Sequence, residues 1–226
     1  MPRALTAVLL SACLGIAACG GEDEEPVADA PAATTQQPAP EGLPEGCEPA
    51  EEPAAREDGG AEEPSGEVEP GTQVRFTTNC GAFTIALDVE RAPKTAQSVA
   101  SLARQGFYDG TIFHRIVAGF VIQGGDPTGT GTGGPGYSVE EAPPEDVQYT
   151  KGVVAMAKTA AEAPGTSGSQ FYVVTGEDAG LPPEYALVGE VSEGLDVVER
   201  IGSAQVGPED RPLAPIVIES AEVVDG

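Results

Sequence analysis

The chain offers few residues for metal, acid–base or nucleophilic chemistry. It contains one histidine, His114, among 226 residues. A histidine-rich metal site or a histidine-paired catalytic triad needs further partners that orient the imidazole, so both kinds of site are disfavoured. Asp126 could bind a cation, but no regularly spaced acidic ligands follow it. We therefore expect neither a metal nor a cofactor.

The glycine-rich run GTGTGG at residues 129–134 has the composition of a phosphate-binding loop. It lacks the lysine and the following helix that such a loop needs, and Pro135 and Gly136 come next. The run predicts a flexible loop instead of a phosphate cradle.

The elements that must position any site begin near residue 71. The β-rich runs 74–77 and 83–87 flank Asn79-Cys80-Gly81 and predict a hairpin. Pro93 opens a helical pattern that ends at Gly106, and residues 194–201 fit a second helix. The remaining predicted strands are 111–117, 120–123, 152–157, 170–175, 186–191 and 216–218. Many strands with only two helices indicate a closed β-barrel or a sandwich.

The segment FHRIVAGFVIQGGD at residues 113–126 resembles the signature of the cyclophilin family of peptidyl-prolyl cis-trans isomerases. Further matches follow in order: APKT at 92–95, GVVAMA at 152–157, GSQFY at 168–172 and VGEV at 188–191. The resemblance covers roughly residues 72–224. It implies a mainly β fold, a closed eight-stranded antiparallel barrel capped by two helices. It also implies a rotamase that acts on X-Pro-containing polypeptides.

The same resemblance implies the catalytic residues. Arg115 falls at the family's catalytic position, where a guanidinium donates to the prolyl nitrogen, and Phe120 and Gln123 belong with it. The alternatives are a salt bridge on a barrel strand for Arg115 and a solvent-facing position for Gln123. His114 lies in the signature, but the reaction needs no imidazole, so we interpret it as structural.

The resemblance further implies a set of substrate-binding residues. Phe120, Val121, Tyr172 and Leu181 match the apolar pocket for the proline ring, and each could equally be plain core. An asparagine is common in the family where Lys158 stands, and the following segment is about three residues longer than usual. A low-turnover module that binds Pro-containing segments of an envelope partner therefore remains the alternative function. The substrate-binding set is Val121, Ala157, Gln170, Tyr172, Leu181 and Tyr185.

The first residues of the chain predict export. Residues 1–18 combine a short positive start with an apolar run too short to span a bilayer, which is typical of a signal peptide. The run ends before Cys19 in a sequence similar to a lipobox, so we expect a fatty-acid (palmitate) anchor there; the alternative is an ordinary secretory signal. The expected location is the extracytoplasmic face of the cell membrane, with the membrane as a partner through this anchor.

Charge separates a tail from a domain. The chain carries a formal net charge of -26, which disfavours nucleic acid as a partner. Residues 20–70 hold sixteen acidic residues, nine prolines and one basic residue. Because so little can be buried there, residues 19–70 predict a disordered linker, or alternatively an acidic recruitment arm. Residues 71–226 form the predicted isomerase domain, which we expect to be monomeric.

Cysteine usage adds one feature. With Cys13 inside the signal peptide and Cys19 lipidated, Cys47 and Cys80 remain as an even pair in an oxidising compartment. The sequence predicts a disulfide between them that would clip the tail to the domain.

Overall fold

The structure is a computed structural model and describes residues 40–225. The predicted signal peptide, Cys19 and the first part of the predicted linker lie outside these residues. Two α-helices are described, α1 (Pro93–Arg104) and α2 (Leu195–Gly202), and a single 3₁₀-type turn, in which Glu209 departs from helical φ and ψ, covers Pro208–Asp210. The strands are β1 (Thr72–Thr78), β2 (Gly81–Leu87), β3 (Thr111–Val117), β4 (Val121–Asp126), β5 (Val139–Glu140), β6 (Val153–Met156), β7 (Thr166–Ser167), β8 (Phe171–Val174), β9 (Leu187–Glu193) and β10 (Val217–Asp225).

Eight of these strands close into an antiparallel barrel in the order β1-β10-β3-β4-β8-β6-β9-β2. The β1–β2 hairpin turns at Asn79 and Cys80, as the sequence predicts. This barrel with two helices confirms the expected fold class. The sequence did not predict the short β5–β7 pair or the 3₁₀ turn, because segments of two or three residues carry no readable periodicity.

The barrel interior is filled by aromatic and branched side chains, which we call the interior cluster. Phe76 stacks on Phe83 with ring centroids 5.3 Å apart and meets Phe171 at 5.1 Å. Ile122 of β4, Val154 of β6 and Val173 of β8 are fully buried in the same cluster. Side chains of alternate residues fill this barrel, so no channel runs through it.

Helix α1 packs on the barrel through Ala96, Val99, Ala100 and Ala103, all buried. Pro93 occupies its first turn, where the missing N–H would have had no intrahelical partner. Two other N–H groups of this turn, those of Lys94 and Thr95, donate to the Glu141 carboxylate at 3.1 and 2.7 Å. Helix α2 buries Val197, Val198 and Ile201.

Residues 40–70 form an irregular segment along the barrel, which we call the strap. A disulfide joins Cys47 to Cys80, the pair expected from the cysteine count. Next to it, the Glu48 N–H donates to the Asn79 carbonyl at 2.6 Å, and Asn79 Nδ2 donates back to the Glu48 carbonyl at 2.8 Å. These contacts fix the first half of the strap to the β1–β2 hairpin.

The second half of the strap follows the loop after β4. The N–H groups of Arg56, Gly59 and Ala61 donate to the carbonyls of Pro127, Gly134 and Pro135 at 2.9, 2.9 and 3.1 Å. The Arg56 side chain also donates to the Phe107 carbonyl and lies 5.4 Å from the centre of its ring. This arrangement differs from the disordered linker predicted for residues 40–70. Backbone pairing with distant loops leaves no mark in local composition, so the sequence could not reveal it.

Within residues 40–225, the two helices are too short and too polar to cross a bilayer.

Candidate active site

An irregularity in β3 positions the first site residue. The pairing of β3 with β4 matches Phe113 to Gly124 and Arg115 to Gln123, which leaves His114 as an extra residue. Such a β-bulge lets Phe113 and Ile116 both join the interior cluster, although they are three positions apart. Arg115 is thereby turned to the outer face of the barrel, directly opposite Gln123.

The outer face of the same strands carries a second apolar group, which we call the groove cluster. The alternation that buries Ile122, Val154 and Val173 inside the barrel places their neighbours on this face. The buried members of the groove cluster are Ala92, Val121, Tyr149, Val153, Ala155, Tyr172, Val174 and Leu187.

A cavity of about 170 Å³ opens at the edge of the groove cluster. Its lining includes eight of the nine catalytic and substrate-binding residues predicted from the sequence, and Lys158 in addition. The lining residues are Arg115, Phe120, Val121, Gln123, Ala157, Lys158, Tyr172, Leu181 and Tyr185. Residues separated by up to 70 positions thus meet around one small, mostly apolar space.

The ninth predicted residue, Gln170, lies beside this cavity. Gln123 Nε2 donates to Gln170 Oε1 at 3.1 Å, and Gln170 Nε2 donates to the Gly133 carbonyl at 2.8 Å. Both glutamines, with Ala157 and Lys158, also line a neighbouring groove of about 580 Å³. The two amides therefore stand between the small cavity and the larger groove.

Three tyrosines form one wall of the site. Tyr149 Oη donates to the Tyr185 carbonyl at 2.6 Å and accepts from the Tyr185 N–H at 3.1 Å. The rings of Tyr172 and Tyr185 meet edge to face with centroids 5.6 Å apart. Burial raises the pKa of Tyr149 to about 12, so its hydroxyl keeps its proton. Tyr149 was not predicted as a site residue. It holds the backbone of Tyr185, which was predicted to bind substrate.

Arg115 pairs with an acidic residue that was also not predicted. Its Nε lies 3.3 Å from Asp210 Oδ2, and the two side chains are 38 % and 46 % exposed. Asp210 belongs to the 3₁₀ turn, 95 positions along the chain. The nearby prolines signal a turn, but nothing in the sequence shows that the turn reaches β3.

Lys158 lies at the rim of the cavity, and its side chain is 5 % exposed. Its ammonium lies 3.5 Å from the Glu184 carboxylate, 5.5 Å from the Tyr185 ring centre, and 3.3 Å from the carbonyls of Thr159 and Glu162. The lysine therefore ties the lengthened segment after Ala157 to the opposite wall of the groove.

The glycine-rich loop, predicted to be flexible, folds around one carboxylate. Asp126 accepts hydrogen bonds from the N–H groups of Thr128, Gly131 and Gly133 at 2.7, 2.6 and 3.2 Å. These bonds hold the pKa of Asp126 below its ordinary value, although burial opposes them. The loop thereby presents the Gly133 carbonyl to Gln170.

His114 is buried at the bulge, and burial lowers its pKa below the ordinary value. Among the described residues, neither ring nitrogen has a hydrogen-bond partner. A buried neutral imidazole fits the structural role expected for it. In residues 40–225 we find no group of three or more His, Cys, Asp or Glu side chains that could hold a metal.

The site thus consists of an arginine, a glutamine pair and a small cavity on the outer face of a closed eight-stranded barrel. Comparison with known proteins identifies the family. The family model described as cyclophilin type peptidyl-prolyl cis-trans isomerase matches residues 73–223. The chain therefore belongs to the cyclophilin-type peptidyl-prolyl cis-trans isomerases.

Individual relatives agree with this assignment. Peptidyl-prolyl cis-trans isomerase-like 1 of Emericella nidulans is 39 % identical over 158 residues, which is 68 % of this chain and 96 % of the relative. Peptidyl-prolyl cis-trans isomerase ppi1 of Schizosaccharomyces pombe is 40 % identical over 152 residues, 66 % of this chain and 96 % of the relative.

Among solved structures, a Cryptosporidium parvum cyclophilin type peptidyl-prolyl cis-trans isomerase, crystallised in the presence of the dipeptide Ala-Pro, superposes with a TM-score of 0.64. It is 30 % identical, and the match covers 68 % of this chain and 99 % of that one.

Proposed function

We propose that the cavity and groove on the outer face of the barrel isomerise X-Pro bonds of bound polypeptides, with Arg115 as the catalytic residue. The observation that carries this proposal is the position of the guanidinium at the rim of an apolar cavity of about 170 Å³. A proline ring is small and apolar, and its nitrogen must lie at the mouth of any pocket that holds the ring.

The chemistry needs a donor at that mouth. Rotation about an X-Pro bond meets a barrier of about 18–20 kcal/mol, because the amide is conjugated. In the twisted state the conjugation is lost and the nitrogen lone pair becomes a hydrogen-bond acceptor. A guanidinium that donates to this nitrogen stabilises the twisted state more than the planar one, which is the condition for catalysis.

The other residues hold the two sides of the bond. Phe120, Val121, Tyr172 and Leu181 supply the apolar walls that would fix the proline ring. Gln123 and Gln170 stand where the chain preceding the proline would leave the cavity for the longer groove. With the ring fixed, the preceding carbonyl is the part that turns.

A kinetic comparison of two arginines tests the proposal. In the full chain, Arg115→Ala should lower kcat/KM for an X-Pro peptide by about 100-fold, the loss typical of one transition-state donor. Arg75→Ala is the matched control, since Arg75 is a half-exposed arginine of β1 that pairs with Glu193 at 4.0 Å. Equal rates for Arg115→Ala and Arg75→Ala would refute the role of Arg115.

The alternative, a low-turnover binding module, draws on one observation. The buried Lys158 ties the lengthened segment across the groove to Glu184, which could favour tight recognition over release. Isothermal titration with an X-Pro peptide, run beside the kinetic assay, separates the two functions. Submicromolar binding with negligible turnover in the unaltered chain would favour the module.

The proposal includes a location. The support is in the sequence: the apolar run of residues 1–18, the lipobox-like end at Cys19 and the acidic, proline-rich residues that follow. A chain tethered in this way would act on proteins newly exported across the membrane, where uncatalysed isomerisation takes tens of seconds. Metabolic labelling with palmitate should mark the unaltered chain and not Cys19→Ser. Label that persists in Cys19→Ser would refute the anchor.

A further inference from the structure

We propose that Asp210 is a positioning residue for Arg115: its carboxylate orients the guanidinium toward the cavity. This inference rests on the proposed function, since it assigns Asp210 a role only through the catalytic arginine. The observation that carries it is the contact between Arg115 Nε and Asp210 Oδ2 at 3.3 Å.

Asp210 contacts Nε of Arg115, and this choice of atom determines which N–H groups of the guanidinium remain free to bind substrate. A guanidinium presents five N–H groups in a rigid plane, one on Nε and four on the two terminal nitrogens. A carboxylate beside Nε restricts the guanidinium and leaves the four terminal N–H groups for other acceptors. Among the described residues, Asp210 is the one ion-pair partner that Arg115 has. The terminal nitrogens are therefore available to a prolyl nitrogen.

The backbone at Asp210 supports a specific role. Glu209 and Asp210 have φ angles of 60° and 59°, in the left-handed region that residues other than glycine rarely adopt. Strained conformations of this kind persist only where the surrounding structure holds them, and they concentrate at functional sites. The turn lies between α2 and β10, and its residues contact β3.

The contacts that hold this turn are visible. The Gly207 N–H donates to the Arg211 carbonyl at 2.8 Å, and Val206 forms a bridge with Pro212. The Arg211 side chain donates to the Gly129 carbonyl at 2.8 Å and to Glu52 of the strap at 2.5 Å. The turn is thus anchored to the glycine-rich loop on one side and to the strap on the other.

Stability is a weaker explanation for the pair. Ion pairs between half-exposed side chains contribute little to folding, because water screens the attraction and both side chains lose freedom. A long arginine side chain at the rim of a cavity has many rotamers, however, and only some of them point to the bound proline. Restricting those rotamers before the substrate arrives raises the rate without a large effect on binding.

The first test compares substitutions at Asp210 in the full chain. Asp210→Ala should lower kcat about tenfold with KM changed less than about twofold, since orientation is lost while the groove remains. Asp210→Glu keeps the carboxylate on a longer arm and should recover most of this loss. An unchanged kcat in Asp210→Ala would overturn the inference, as would a Glu variant as slow as the Ala variant.

Two control variants separate orientation from charge and from folding. Glu209→Gln removes the same charge from the adjacent residue of the same turn. Asp196→Ala breaks a comparable pair on α2, where Asp196 Oδ2 lies 3.4 Å from an Arg200 terminal nitrogen. Both controls should keep kcat within about twofold of the unaltered chain. A loss in Glu209→Gln equal to that in Asp210→Ala would assign the effect to the electric field of the turn and overturn the inference.

A double-mutant cycle distinguishes failure of the inference from failure of the proposed function. If Asp210 acts through Arg115, Asp210→Ala should have no further effect in the Arg115→Ala background. The same tenfold loss in both backgrounds would overturn the inference while leaving the role of Arg115 intact. Full activity in Arg115→Ala alone would refute the proposed function, whatever Asp210 does.

A spectroscopic measurement gives a readout besides activity. The Nε–H signal of Arg115, assigned from its disappearance in Arg115→Lys, should show a high heteronuclear NOE in the unaltered chain, because the neighbouring carboxylate restricts the side chain. Asp210→Ala should lower this NOE, whereas Asp196→Ala should leave it unchanged. Equal NOE values in the unaltered chain and in Asp210→Ala would show that Asp210 does not restrict Arg115 in solution, and would overturn the inference.

Discussion

The two apolar clusters of this barrel are built on opposite faces of the same strands, yet they differ in composition and in what covers them. The interior cluster contains five phenylalanines, of which Phe76, Phe83, Phe113 and Phe171 are linked by ring contacts, and one fully buried tyrosine, Tyr108. The groove cluster is overlaid by loops, and its buried aromatic side chains are two tyrosines, Tyr149 and Tyr172. The inner face of the barrel strands therefore serves packing, and the outer face of β4, β6, β8 and β9 carries the cluster that borders the cavity.

This difference explains why the polar residues of the candidate site lie on the outer face of the barrel and not in its interior. The interior is closed on all sides by strands, so a polar group there would lack both water and a partner. The groove cluster is closed by the segments around Tyr149 and Leu181, which leaves a cavity at its edge. Arg115 and Gln123 can lie beside apolar side chains there, because the cavity gives them access to solvent and to a peptide.

The largest expected effect comes from removing one phenylalanine at a time: a loss in the interior cluster should affect stability, and a loss at the groove should affect activity. Phe171→Ala should lower the free energy of unfolding by about 3–5 kcal/mol, since it leaves a cavity among interior aromatics. Phe120→Ala, at the half-buried rim of the groove, should lower it by less than about 1 kcal/mol and reduce kcat/KM instead. Denaturant unfolding and the X-Pro assay on both variants check this. A Phe120→Ala chain as destabilised as Phe171→Ala would remove the distinction between the clusters.

A smaller effect distinguishes two tyrosines within the groove cluster. Tyr149→Phe removes a hydroxyl that makes two hydrogen bonds with the Tyr185 backbone, so the free energy of unfolding should fall by about 1–2 kcal/mol. Tyr172→Phe removes a buried hydroxyl that has no partner among the described residues, so stability should stay the same or rise slightly. Thermal unfolding of the matched pair measures both. A Tyr172→Phe chain less stable than Tyr149→Phe would contradict the assigned hydrogen bonds.

The smallest effect concerns His114, at the bulge between the two faces. Burial lowers its pKa in the folded chain below the ordinary 6.5; Arg211 and Arg115 act in the same direction and Asp126 opposes them. The unfolded chain therefore binds more protons as the pH falls through 6.5, and folding stability decreases there. The slope cannot exceed about 1.4 kcal/mol per pH unit for one proton.

Unfolding by denaturant at pH 7.5, 6.5 and 5.5 measures this slope. The chain has a single histidine, so His114→Gln should flatten the dependence over this range. An unchanged slope in His114→Gln would assign the effect to other groups.

Much of the fold and of the site could be predicted from the sequence. The hairpin at Asn79-Cys80 and the start of α1 at Pro93 follow from local patterns, and the groups that line the cavity follow from the resemblance to the cyclophilin family. Asp210 and Tyr149 could not be predicted in the same way. Each acts on a residue at least 36 positions away, through one side-chain contact that leaves no periodic signal.

The strap shows most clearly what composition predicts and what only the tertiary structure decides. Its composition established that residues 40–70 cannot build a core of their own, and the structure places no helix or strand there. The pairing of its N–H groups with the carbonyls of Pro127, Gly134 and Pro135 was decided by the tertiary structure. A backbone hydrogen bond is indifferent to side-chain type, so composition does not encode its partner.

By itself, the sequence determined most of the barrel strands, the two helices and the cysteine pair, and its resemblance to a known family implied the residues that meet at the groove. The elements follow from local alternation and from proline and glycine positions, and the site residues follow from the match to the family's motifs. Only the tertiary structure decided which way Arg115 points. The bulge at His114 turns it outward, and a strained turn 95 residues later supplies the carboxylate that meets its Nε. Orientation depends on how distant segments pack, and packing is a property of the folded chain as a whole.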